Sequence, residues 1–200
     1  MRNKFDMQLD YLNEQLIHMG ELCEIAINRA TEALQHGSIE EAKEVISADE
    51  EIDQMEKDIE RLCLKLLLQQ QPVARDLRVI SAALKMITDM ERIGDHATDI
   101  SELAIVLSDL PHIEQLTHIE RMAKETMVML IQGLEAYVER NYDKAEEVIS
   151  HDDIIDNLFV QVKGELIDII QKDSNCANQA ADLLMVAKYF ERIGDHATNI

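Results

Sequence analysis

The chain has 200 residues, of which 40 are acidic and 19 basic, for a net charge of −21. A surface of that sign repels phosphate backbones and anionic lipid, which excludes nucleic acid as a partner and favours cations or basic protein surfaces. Hydrophobic residues make up 46%, enough for a core, while only 2 Pro and 6 Gly interrupt the chain, so the expected class is all-α with long helices.

The opening "MRNKFDMQLDYLNEQL" is charged and amphipathic and carries no apolar stretch of the secretory type. No apolar run is long enough to span a bilayer. Cys23, Cys63 and Cys176 match no zinc spacing. Cys23 and Cys63 fall at apolar helix positions and read as buried, reduced thiols of a cytoplasmic protein.

Phe5, Leu9, Leu12, Leu16, Met19, Cys23, Ala26, Ala30 and Ala33 alternate steps of four and three, the seam of one long amphipathic helix. It stops at "QHGSIEEA", where Gly37 suits a left-handed cap and Ser38 with Glu41 forms a capping-box pair. A second helix carries Val45, Ile52, Ile59, Cys63 and Leu66 and runs out at "QQQP". Pro72 belongs in the first turn of a third helix with the seam Met90, Ile93, Ala97, Ile100, Ala104 and Leu107, ending near Pro111. A fourth helix shows Leu116, Ile119, Ala123, Leu130 and Tyr137. In the next turn Asn141 is expected as C-cap and Asp143 as N-cap. The fifth carries Val148, Ile155, Phe159, Val162, Leu166 and Ile169, and after "KDSNCANQ" a sixth runs to the last residue.

The halves repeat. "IEEAKEVISADEEID" at 39–53 matches "YDKAEEVISHDDIID" at 142–156 with an offset of 103, and "ERIGDHAT" occurs at 91–98 and again at 191–198. The expected architecture is a tandem duplication of an up-down-up three-helix bundle, residues 1–110 and 111–200. The first copy continues from "HATDI" through "SELAIVLSDL". Measured against it, the sixth helix is expected to lack its last two or three turns.

Glu91, Asp95 and Asp99 are spaced i, i+4, i+8 and stack along one stripe, which a wheel of about 100° per residue places opposite the apolar seam, facing out of its own bundle. Helix six repeats the stripe as Glu191, Asp195 and Asn199. Helix two adds Asp49 and Asp53, and helix five Asp152 and Asp156. Asp49 and Asp152 sit where a heptad would place an apolar residue, within reach of the neighbouring helix. Like charges at i,i+4 cost about 0.2–0.5 kcal/mol each, which a folded domain tolerates, so a solvated acidic face is one reading. Clustered carboxylates from two helices also supply the hard oxygen ligands of Mg, Mn, Ca or iron, and the duplicated placement favours that reading.

His96 and His196 lie off the stripe and read as hydrogen-bonded bundle histidines; Arg92 and Arg192 are expected to pair with nearby acids. Gly94 and Gly194 serve either close helix packing or room for a ligand. Glu-x-x-His at i,i+3, His-Glu-x-x-His, a P-loop and Gly-x-Ser-x-Gly are all absent, and nothing calls for catalysis.

Two three-helix units that each carry "ERIGDHAT", with the opening segment, the "LLLQQQPVARDLR" turn and both Asp-x-x-x-Asp segments, resemble the PhoU family of phosphate-signalling accessory proteins. The resemblance covers essentially the whole chain. It implies a cytoplasmic, often homodimeric negative regulator of phosphate uptake and of the phosphate-starvation response. The implied partners are the phosphate ABC transporter's ATPase subunit and a sensor histidine kinase, with membrane association only through them. It also implies divalent or trivalent metal ions (iron, zinc, magnesium or manganese) on E/D-x-x-x-D motifs, here Asp49, Asp53, Glu91, Asp95, Asp99, Asp152, Asp156, Glu191, Asp195 and, departing from the pattern, Asn199. The loss of charge at Asn199 weakens the second site. The alternative class is a metal-storage or metal-dependent hydrolytic bundle, which lacks a paired nucleophile and base in this sequence.

Overall fold

The computed structural model describes residues 2–69, 73–108 and 117–200. They form six helices: α1 (Arg2–His36), α2 (Ile39–Gln69), α3 (Ala74–Leu107), α4 (Thr117–Glu139), α5 (Tyr142–Lys172) and α6 (Ala177–Asn199), with a single 3-10 turn at Ser174–Cys176. The expected all-α fold of six helices is what the structure shows. Pro72, Pro111 and Leu116 lie outside the described residues.

The seams read from periodicity are the ones buried. In α1 every seam position from Phe5 to Ala33 is buried, as are Val45, Ile52, Ile59, Cys63 and Leu66 of α2 and Met90 to Leu107 of α3. In α5 the buried line is Val148, Ile155, Leu158, Val162 and Leu166, while Phe159 and Ile169 are only half-buried. Within each half the three helices pack on one another; the halves meet through α3 on α6 and α1 on α4. Helices α2 and α5 touch only their own half. One continuous hydrophobic cluster runs through both halves.

The α1–α2 turn follows the expected chemistry in part. Gly37 has φ 63°, and the Ser38 N–H donates to the Ala33 carbonyl at 3.0 Å. The Ser38 hydroxyl accepts from the Glu41 N–H at 3.3 Å. The reciprocal half of the capping box is not made: the Ser38 N–H is already committed, and Glu41 Oε2 is buried without a partner. The α4–α5 turn corrects the sequence reading by shifting its caps. Arg140 takes the left-handed conformation at φ 55°, and Asn141 is the N-cap, its side chain accepting from the Lys144 N–H at 3.1 Å. Asn141 N–H donates to the Ala136 carbonyl at 2.9 Å, the same bond as in the first turn. Arg140 thus occupies the position of Gly37, and a non-glycine residue there obscured the cap in the sequence.

Candidate functional site

Each third helix of a repeat is covered on several sides: α3 packs against α1, α2 and α6. Its buried arc is therefore wider than the apolar seam. Gly94 is buried on the α2 side, where a Cβ would stand 3.0 Å from Ile52 Cδ1 and 3.4 Å from Asp49 Oδ1. Gly194 is the same contact in the second repeat, with Asp152 Oδ1 and Ile155 Cδ1 each at 3.0 Å. The glycines let the second helix of each repeat lie close, with an aspartate tucked against the neighbouring backbone.

That contact changes the nature of the acid stripe. It is not a uniformly solvated face: the Glu91 side chain is only 20% exposed and Glu191 14%, while Asp156, Asp195 and Asn199 are exposed. In repeat one, Asp49 and Asp53 of α2 face Glu91, Asp95 and Asp99 of α3. Burial, then the charges of Asp95, Asp53 and Asp99, push the Asp49 carboxyl above its ordinary range, while the Thr98 hydroxyl beside it offsets part of this. That hydroxyl is otherwise without a hydrogen-bond partner. Glu91 is raised by burial and by Asp95, Glu56 and Asp53, against Arg92. Glu56 joins the group, itself raised by burial and by Asp53 and Glu60. The sequence reading missed Glu56. It continues the α2 stripe one turn beyond Asp53, but its counterpart in the second repeat is Phe159, so a search by symmetry passed over it.

In repeat two, Asp152 is raised to about 6, first by burial and then by Asp156, Asp195 and Glu191. This group contains its own cation. Lys188, where repeat one has Thr88, bonds Glu191 and sits 5.5 Å above the Phe159 ring. Arg92 pairs with Asp95 at 2.7 Å and with Glu91 at 3.5 Å. Arg192, by contrast, makes no ion pair within 4.0 Å among the described residues and lies near His96 and Tyr189.

The ends of the two stripes turn toward the interface between the repeats. His96 Nδ1 is 3.2 Å from Asp99, His196 Nδ1 is 2.8 Å from Asp89, and the two imidazole centroids are 5.6 Å apart. Asn199 donates to Asp89 of the other repeat at 3.2 Å, so it serves the interface there. The histidines are thus hydrogen-bonded bundle histidines, as expected.

All the donors gathered in the two groups are oxygens, the chemistry of hard cations. Among the described residues no three His, Cys, Asp or Glu side chains close on one ion as they stand. The carboxylates face one another along the α2–α3 and α5–α6 contacts. Burial, and after it mutual repulsion, raises Asp49, Glu91 and Asp152, and a cation there would relieve the repulsion.

Comparison with known proteins places this arrangement. The PhoU domain profile matches residues 16–104 and 119–200, one match for each repeat. The chain is 40% identical over its full length to the phosphate-specific transport system accessory protein PhoU homolog of Clostridium acetobutylicum, spanning 91% of that protein. It is 37% identical to the Aquifex aeolicus homolog over 94% of this chain and 86% of that one. The crystal structure of PhoU from Pseudomonas aeruginosa superposes with a TM-score of 0.92 at 30% identity, covering 98% of this chain and 94% of that one. The duplicated bundle is therefore shared along the whole length, and the chain belongs to the PhoU family.

Proposed function

We propose that this protein is the regulatory accessory subunit of a phosphate-specific transport system. It acts in the cytoplasm, contacts the transporter's ATPase subunit and a sensor histidine kinase, and damps uptake and starvation signalling. The observation that carries this reading is the full-length match to relatives that bear the accessory-protein name. No described helix is long and apolar enough to cross a membrane, so attachment to the transporter runs through protein contact. A homodimer is the working assembly.

The acid grooves bind hard divalent or trivalent cations, with Asp49, Asp53, Glu91, Asp95 and Asp99 holding them in repeat one and Asp152, Asp156, Glu191 and Asp195 in repeat two. When bound, the metal supplies positive charge. The chain's own carboxylates hold it between two helices and so tie α2 to α3 and α5 to α6. Regulation, not turnover, is the role: the protein itself transforms no substrate.

The test is repression of a phosphate-starvation reporter in cells lacking their own PhoU, with co-purification of the ATPase subunit. Restored repression and a stable complex support the reading. Absence of both, or metal-dependent phosphatase activity in the purified protein, overturns it.

A further inference from the structure

The repeats also meet where α1 crosses α4, on a face that carries none of the acids of the candidate site. Gly20 marks the crossing: a Cβ there would collide with Leu134 Cδ1, so the leucine lies directly over the glycine. Beside it a groove of about 370 Å³ opens between the two helices. Ile17, Gly20, Ile131, Leu134 and Val138 form its apolar surface, and Ile17 and Ile131 are 40% and 36% exposed. The rest of the lining is four glutamates, Glu21 and Glu24 from α1 and Glu135 and Glu139 from α4. The groove follows about two turns of each helix, about 10 Å along the axes.

Duplication does not account for this apolar strip. At the offset of 103 that relates Gly37 to Arg140, the counterparts of Ile17, Ile131, Leu134 and Val138 are Glu120, Asn28, Thr31 and Gln35. The duplicated positions are therefore polar, and the Thr31 hydroxyl donates to the Ile27 carbonyl at 2.7 Å. The rim is only partly neutralised. Lys144 pairs with Glu135 and Glu139, and His18 stands 3.5 Å from Glu21, but Glu24 makes no ion pair within 4.0 Å among the described residues. An apolar strip rimmed by acids is complementary to a surface with an apolar centre and basic flanks.

We propose that this groove docks a basic amphipathic helix of a partner protein. A groove of this length takes apolar side chains at i, i+3 or i+4, and i+7, while lysines or arginines on both flanks reach the glutamates. A second copy of this chain on the same face is disfavoured, because it would set the four glutamates against their own kind. The walls come from α1 of one repeat and α4 of the other, so the bound helix bridges the two repeats at their crossing. Such a helix is recognised by its charge and shape, whatever pathway its owner serves.

The test uses a fluorescein-labelled leucine–lysine peptide with its leucines at that helical spacing, and a peptide of the same composition with the leucines scattered. Anisotropy titrations compare wild type with Ile17→Ser/Ile131→Ser, which keeps the charge, with Glu21→Gln/Glu135→Gln, and with the exposed remote pair Glu40→Gln/Glu50→Gln. The patterned peptide should bind wild type saturably, about tenfold tighter than the scattered one. Each groove variant should weaken it by about tenfold, and the remote pair by less than about twofold. Bound peptide should also slow thiol modification of the Val138→Cys variant in a Cys176→Ser background, where Cys23 and Cys63 are buried. No saturable binding, equal losses in the rim and remote pairs, or unslowed modification of the Val138→Cys variant overturns the proposal. So does a wild-type dimer that Ile17→Ser/Ile131→Ser converts to a monomer, which would make the occupant a second copy.

Discussion

The two acid grooves descend from one duplicated sequence yet solve the same electrostatic problem differently. Repeat one gathers Asp49, Asp53, Glu56, Glu91, Asp95 and Asp99, with Lys57 paired to Asp53 at 3.2 Å and Arg92 to Glu91 and Asp95. Repeat two drops two of those acids, as Phe159 and Asn199, and converts Thr88 to Lys188, whose ammonium bonds Glu191 over the Phe159 ring. The cations of repeat one stand on exposed side chains, whereas that of repeat two is held against an aromatic ring. The backbone contact beneath, with a glycine under an aspartate, is kept in both.

The largest expected effect strikes what the grooves share. Gly94→Val and Gly194→Val each force a branched side chain into a closed helix contact and should lower stability by about 2–3 kcal/mol in urea unfolding. The loss should be greater at 194, where a carboxylate oxygen and a methyl both stand at 3.0 Å.

The next separates the grooves by pH. The Asp152 carboxyl, raised to about 6, holds a proton in the native state over a range where the unfolded chain has released it. Its contribution is present below about pH 4 and is lost as pH rises through about 6. Asp152→Asn in chelator-treated protein should flatten that decline and raise stability at pH 7 by about 1–2 kcal/mol, the shift being discounted for solvent screening. An unchanged pH profile in thermal melts contradicts this.

Lys188→Met removes the internal cation. It should cost about 1 kcal/mol in chelated protein, combining a half-buried ion pair with a cation–π contact. Added Mn(II) should recover most of that loss, whereas wild-type repeat two responds little. The smallest effect compares the two turns. Arg140→Gly relieves a left-handed arginine and should stabilise by about 0.5–1 kcal/mol, while Gly37→Ala should destabilise by about 1 kcal/mol. Denaturant midpoints read both.

The helices were legible because a bundle seam is written in period: each seam position of α1 from Phe5 to Ala33 is buried as its spacing predicts. The α4–α5 caps were misplaced because the residue that turns left-handed is an arginine, which sequence alone does not mark for that conformation. For the candidate site, the wheel set the carboxylates on one stripe but misjudged the exposure of Glu91 and Glu191. It treated α3 as a helix with one buried side, whereas α2 and α6 cover it as well as α1. Glu56, the reach of Asn199 to Asp89, and the meeting of His96 with His196 all depend on how helices distant in sequence cross, and no local spacing encodes that.

The central claim is that the acid grooves hold hard cations, repeat one more tightly than repeat two. Elemental analysis of freshly isolated, unchelated protein tests it most directly, comparing wild type with Asp49→Asn/Glu91→Gln and with Asp152→Asn/Glu191→Gln. The account predicts bound metal in the wild type, most of it lost in the first double variant and a smaller share in the second. Wild-type protein without bound metal, or metal content unchanged in both variants, would contradict it.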